Sequence, residues 1–241
     1  MSDGQPAETR SFAFGDPGGG QLGTATVWDG GSCSSFGTPT RVEGSHSDED
    51  WRLAGAGFEL IFAPVGEVAE LELGAAGIRS LHQLARVHGT VVVDGEEQAV
   101  DCAGQRTRRL GVLDPKRFDA LRAVSAWFSG EDGLAVLAAR PRRAKGHDSE
   151  LLDGVLLEGG VALRVAEPRL SSTYTTDGVP ARVGLELWFG EEDADQYARR
   201  AAGEAIEPPT VCGQLPLLSE LLRWRMRGRE GIGVYDLLRA R

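Results

Sequence analysis

Turn signals recur through this chain at hairpin spacing, and the runs between them alternate apolar and polar residues. Asp94-Gly95 separates the extended run Ser80 to Val93 from Glu96 to Cys102. Gly130-Glu131-Asp132-Gly133 separates Ala123 to Phe128 from Leu134 to Ala139. Further turns fall at Glu158-Gly159-Gly160, Asp177-Gly178 and Gly228-Arg229-Glu230-Gly231. Asp-Gly between alternating runs is a strong hairpin signal, because both residues reach positive φ at low cost. Such punctuation builds antiparallel sheets, not alternating βα units. The 33 glycines among 241 residues follow no Gly-X-Y period, so they serve turns and not a collagen helix. The expected fold is all-β, an antiparallel barrel or sandwich with few short helices.

The remaining elements are read the same way. Thr24 to Trp28 is a strand closed by Asp29-Gly30-Gly31. In Trp51 to Pro64, Phe58, Leu60 and Phe62 share one face and Glu59 and Ile61 the other. Val68 is out of phase with Leu71 and Leu73, which predicts a bulge between them. Helical turns are expected at Pro115 to Ala126 and Asp193 to Ala202, and Leu217 to Trp224 suits helix or strand. Residues 1–20 read as a disordered tail. Residues 21–112 and 113–241 read as a first and a second β unit, with the boundary between 110 and 150.

The net charge of −10 and pI near 5.0 argue against a general nucleic-acid binder. No apolar run approaches the roughly 20 residues of a membrane-spanning helix, and no signal peptide is visible. The expectation is a cytoplasmic protein whose three cysteines, Cys33, Cys102 and Cys212, are reduced. Basic residues concentrate in 105–147 and 221–241, which either frame an anionic ligand or are solvated faces. No Gly-x-Ser-x-Gly elbow, His-Glu-x-x-His, dinucleotide fingerprint or Cys-x-x-Cys is present. No metal or cofactor is therefore expected.

Candidate site residues come from faces. His82, Leu84, Arg86 and His88 share one face of an extended run, and two imidazoles with a guanidinium would orient a ligand if that face turned inward. Gly104-Gln105-Arg106-Thr107-Arg108-Arg109-Leu110-Gly111 reads as a basic loop bracketed by glycines. Glu59, Glu70, Glu72, Glu186 and Asp236 lie within apolar alternation, where a carboxyl in an apolar pocket would be a proton donor. Of these, Glu59, Glu72 and Glu186 are taken as the candidate acids. Trp51, Trp127 and Trp188 line a cavity or fill a core.

One longer pattern is more specific. Arg86-Val87-His88-Gly89-Thr90-Val91-Val92-Val93-Asp94-Gly95, leading to Gly104-Gln105-Arg106 and Gly111, resembles a segment of the lipocalin-like hydroxyneurosporene synthase (carotenoid hydratase)/AttH-type superfamily. The hairpin Arg223-Trp224-Arg225-Met226-Arg227-Gly228-Arg229-Glu230-Gly231-Ile232-Gly233-Val234-Tyr235-Asp236 is similar to the closing hairpin of its bacterial members. Where that family's loop carries Asp and Trp, this chain has Thr107 and Leu110. The resemblance implies two packed lipocalin-like β units around an apolar, elongated ligand. It implies a hydratase or cyclase acting on an isoprenoid- or polyketide-like small molecule by acid-assisted alkene chemistry. Glu59, Glu72 or Glu186 would be the acid, and His82 or His88 would position water. Arg86 and Arg106 would hold the ligand or its loop, and Trp51, Trp127 and Trp188 would face a cationic intermediate. A non-catalytic small-molecule carrier and a filled, purely structural β protein are the alternatives.

Overall fold

The computed structural model describes residues 6–36, 40–144, 149–190, 197–206 and 208–240. His147 and the start of the expected helix at Asp193 lie outside them. The first sheet takes its strands from the N-terminal half: β1 (Glu8–Phe14), β2 (Gly23–Trp28), β3 (Gly31–Ser34), β4 (Arg41–Glu43), β5 (Trp51–Gly55), β6 (Phe58–Leu73), β7 (Ile78–Val93) and β8 (Glu96–Leu110). Their order across the sheet is β3-β2-β1-β8-β7-β6-β5-β4. The second sheet begins with β9 (Phe118–Trp127), β10 (Gly133–Pro141), β11 (Leu151–Glu158) and β12 (Val161–Arg164). It continues with β13 (Glu167–Tyr174), β14 (Pro180–Trp188), β15 (Arg199–Ala205), β16 (Thr210–Val211), β17 (Leu217–Met226) and β18 (Arg229–Arg239). Its order is β12-β11-β10-β9-β18-β17-β15-β14-β13, with β16 also pairing β17. Every pairing is antiparallel, and a 3-10 turn at Gly74–Ala76 joins β6 to β7.

Turn chemistry accounts for the hairpins. Asp94 and Gly95 both take positive φ, 53° and 84°, as the two-residue turn between β7 and β8 requires. The irregularity expected near Val68 is a register shift of β6 against β7 between Val65 and Ala69. Gly111 ends β8 at φ 103°, where a Cβ would lie 2.1 Å from the Gly77 carbonyl oxygen.

Several expectations are corrected. Part of the supposed tail is β1, a central strand between β2 and β8. The helical reading at 115–126 gives way to strand β9, Arg199–Ala205 is β15, and 217–224, which suited either, is strand β17. Cross-strand partners on both sides outweigh local helix propensity there. Residues 104–110 are not a loop but the end of β8, so Arg106 and Arg108 face one way and Arg109 the other. Cys33 and Cys212 are joined in a disulfide with a Cα–Cα distance of 5.6 Å, linking the first sheet to the connection that precedes β17. Cys102 is a free thiol, pushed up to about 11 by burial.

Three apolar layers result. Phe12, Phe14, Leu60 and Phe62 fill the inner face of the first sheet, with Phe12 edge-on to Phe62 at 5.1 Å. Val136, Leu187, Leu222 and Trp224 fill that of the second. A shared core, with Leu71, Ile78, Leu84, Leu121, Trp127 and Leu137, lies between the sheets. Fully burying each large apolar side chain contributes about 1.5–3 kcal/mol, so this interface is integral to the fold.

Candidate active site between the two sheets

The face of the first sheet that packs on the second is not uniformly apolar. In register across β1, β8 and β7 lie Thr9, Arg109 and Ser80, then Ser11, Thr107 and His82. The following row is Ala13, Gln105 and Leu84. Ala13 and Leu84 belong to the shared core, so this parity faces the second sheet. From β17 and β18, Ser219 and Asp236 oppose each other directly, on the parity of core residues Leu217, Leu221, Val234 and Leu238. Apart from half-buried Ser11, every polar side chain named here is buried. Inter-sheet layers are ordinarily apolar, because a buried polar group without a partner costs roughly 1–3 kcal/mol. A cluster retained against that cost marks this layer as the candidate site.

The cluster is partly wired. Ser219 Oγ donates to Asp236 Oδ1 at 2.6 Å. Ser80 Oγ lies 3.0 Å from His82 Nε2, and Thr107 Oγ1 lies 3.1 Å from His82 Nδ1. A neutral imidazole therefore donates to one hydroxyl and accepts from the other. Burial pushes His82 down to about 4, and the Arg109 charge acts in the same direction. Burial also raises the Asp236 carboxyl, opposed by the Ser219 hydrogen bond and the Arg109 charge. Desolvation thus favours an uncharged imidazole and a protonated carboxyl in one apolar layer.

This has a consequence for stability. Unfolded, the His82 imidazole titrates near its ordinary 6.5; folded, it does so near 4. As pH falls, the unfolded chain binds the proton first. The contribution of His82 is complete above pH 6.5 and is lost progressively toward pH 4, by roughly 3 kcal/mol in all. Asp236 acts oppositely: its raised carboxyl costs stability as pH rises through the unfolded carboxylate range. His82→Gln is expected to flatten the fall in melting temperature between pH 7 and 4.5, and an unchanged slope would contradict this assignment.

On the other face of β8, Arg106 closes the mouth of the first barrel. It donates to Gln83 Oε1 at 3.1 and 2.8 Å and to the carbonyls of Ser47, Glu49 and Phe62. Its guanidinium carbon lies 4.7 Å from the Trp51 ring centroid, and burial lowers it to about 10. Trp51 Nε1 in turn donates to the His46 carbonyl at 2.7 Å. Arg106 and Trp51 therefore strap the 44–50 segment across a small cleft of about 180 Å³.

The other predicted site residues are dispersed. Glu59 is exposed and paired with Arg52, and Glu72 is exposed. Glu186 lies on the outer face of β14, 3.1 Å from Arg200, in an open groove with Arg169 and Arg225. None of these three carboxylates sits in an apolar pocket, because each takes the parity opposite to its core neighbours. His82 and Leu84 are buried, but Arg86 and His88 on the same face lie beyond the second sheet and reach water. Arg86 is held by both oxygens of Asp101 at 3.0 and 3.1 Å. Trp127 is core, its Nε1 donating to the Gly15 carbonyl at 2.9 Å, and half-buried Trp188 lies under Arg169. The two basic blocks do meet where β9 pairs β18, but Arg122 is paired with Glu150 and Arg229 with Asp132. Among the described residues, no group of three or more His, Cys, Asp or Glu is placed to hold a metal ion. No helix among them is long and apolar enough to cross a membrane.

No protein-family profile matches this chain, and no curated protein matches it in sequence. Solved structures do match in shape. Kievitone hydratase from Nectria haematococca superposes with a TM-score of 0.60 at 10% identity, over 98% of this chain and 89% of that one. An AttH protein from Nitrosomonas europaea gives 0.58 at 11% identity, over 98% and 93%. The fold is the one these two structures share. CghA, solved with Sch210972, matches with a TM-score of 0.52 at 12% identity, over 97% and 89%. Thr107 stands where the loop of the family that the sequence resembles carries Asp. Its side chain faces the layer into which Asp236 projects from the other sheet.

Proposed function

We propose that the protein is a hydratase- or cyclase-type enzyme that protonates an alkene of a hydrophobic, isoprenoid- or polyketide-like small molecule. The observation that carries this reading is Asp236, a buried carboxyl raised by desolvation and held by Ser219 in the inter-sheet layer. Alkene protonation needs an acid kept neutral in a dry site. Asp236 offers that from β18 where Thr107 leaves β8 without one. His82, neutral between two hydroxyls, orients the polar layer. The fold shared with kievitone hydratase supports the same class of chemistry.

The test is incubation of the purified protein with a panel of polyprenyl and polyketide-type alkenes in ¹⁸O-water, with mass analysis of the products. One ¹⁸O per product, or an isomer of unchanged mass, supports hydration or cyclisation respectively. Panel members recovered bound and unchanged would favour the carrier reading. The Cys33–Cys212 disulfide supports a working place in an oxidising compartment, in place of the cytoplasm expected from the sequence.

A further inference from the structure

Arg109 is the least explained side chain in this layer. It is 7% exposed, and among the described residues no carbonyl, hydroxyl or carboxylate accepts a hydrogen bond from its guanidinium. The other buried arginines have protein partners: Arg106 donates to carbonyls and Gln83, and Arg122 pairs with Glu150 through one terminal nitrogen. A guanidinium presents five donors in a fixed fork, and here no protein group among the described residues takes them while a small part of the side chain stays accessible. Asp236, the carboxyl whose field it feels, already accepts from Ser219. Arg109 is also the second-last residue of β8, and its row partners Thr9 and Ser80 lie close to the ends of β1 and β7. The donors therefore sit near the end of the layer, beside the ends of β1, β7 and β8.

We infer that Arg109 recognises a conjugated carbonyl oxygen, so that the substrate is an α,β-unsaturated carbonyl compound and not an isoprenoid hydrocarbon. This rests on the reading above for its chemistry and on Arg109 alone for its binding. A fork of charged donors fits a carbonyl or carboxylate oxygen and has nothing to hold on a hydrocarbon. The chemistry then balances with water as the only co-reactant. The oxygen of water bonds to the β-carbon, and the π electrons move to the carbonyl oxygen as an enolate held by Arg109. The Asp236 carboxyl gives its proton to the α-carbon, and the surplus proton of the added water returns to the carboxylate left behind. One alkene and one water become one β-hydroxy carbonyl compound, and Asp236 is restored.

The experiment compares the full chain with Arg109→Met, Arg109→Lys and Asp236→Asn, using all-trans-retinal, all-trans-retinoic acid and the hydrocarbon squalene as probes and native mass spectrometry as readout. The wild type is expected to bind the two oxygenated probes at least about tenfold tighter than squalene, one such charge-assisted contact being worth that much. Arg109→Met should lose this preference while keeping its squalene affinity. Arg109→Lys should retain part of it, and Asp236→Asn all of it. Arg109→Met should also melt no lower than the wild type, since an apolar side chain of similar length replaces an unsatisfied charge. A preference that survives in Arg109→Met, no preference in the wild type, or no binding of any probe would overturn the inference. So would a marked fall in the melting temperature of Arg109→Met, which would assign the charge to the fold. An Arg109-dependent preference without ¹⁸O incorporation would sink the hydration reading and leave the recognition role standing.

Discussion

Asp236→Asn is expected to lower turnover by about 10²–10⁴-fold, the usual worth of a positioned general acid. The substitution keeps the shape of the side chain and the oxygen that accepts from Ser219 Oγ at 2.6 Å. It removes only the transferable proton. Because burial already favours the neutral carboxyl, the amide introduces no new change of charge. The folded protein should therefore melt within a few degrees of the wild type. Asp236→Ala differs, since it strands the Ser219 hydroxyl in an apolar layer at a cost of roughly 1–3 kcal/mol. The informative pair is turnover lost with stability kept in Asn, and both lost in Ala. Turnover within about threefold of wild type in Asp236→Asn would remove Asp236 from the mechanism.

The second large effect concerns the covalent link. Cys33 and Cys212 lie 179 residues apart in sequence, so the disulfide closes most of the chain into one loop. Chain-entropy reasoning gives about 5 kcal/mol for so long a loop, and native disulfides contribute about 2–5 kcal/mol in practice. The double variant Cys33→Ser/Cys212→Ser is expected to melt roughly 5–15 °C lower. Thiol titration of the unfolded, unreduced wild type should count Cys102 alone, and reduction should expose all three. A double variant that melts with the wild type would show that the apolar contacts of the shared core hold the sheets unaided.

How far the sequence discloses this architecture depends on where the physics is local. The hairpins at Asp94-Gly95 and Asp177-Gly178 are legible because turn conformation is decided by two residues. Strand β1 is not, and the reason is instructive. Glu8-Thr9-Arg10-Ser11-Phe12-Ala13-Phe14 is followed by a glycine run, and its Thr9 and Ser11 side look like the solvated side of a tail. That side is instead packed against the second sheet, inside the polar layer. Asp236 is visible as an acid within an apolar face, as are Glu59, Glu72 and Glu186. Only the placement of the second sheet separates the carboxyl that faces inward from those that face water. Arg109 is hidden among three nearby arginines, because the stretch 104–111 reads as a loop until strand pairing gives its residues alternating faces. The disulfide joins residues too distant in sequence for spacing to pair them, and three cysteines alone do not announce it.

The two long margins of the double layer are both fastened. At one, Cys33 is bonded to Cys212, and Thr24 and Thr210 share a hydroxyl hydrogen bond of 3.1 Å. At the other, β6 is laced to the second sheet: Glu67 N donates to the Gly160 carbonyl, Ala162 N to Glu67, and Glu72 N to Asp153. A book bound along both edges cannot be opened sideways. Anything that reaches the polar layer must travel lengthwise, parallel to the strands, as a thread enters a sleeve. Entry of any ligand would then depend on local opening at the strand ends and not on separation of the two sheets.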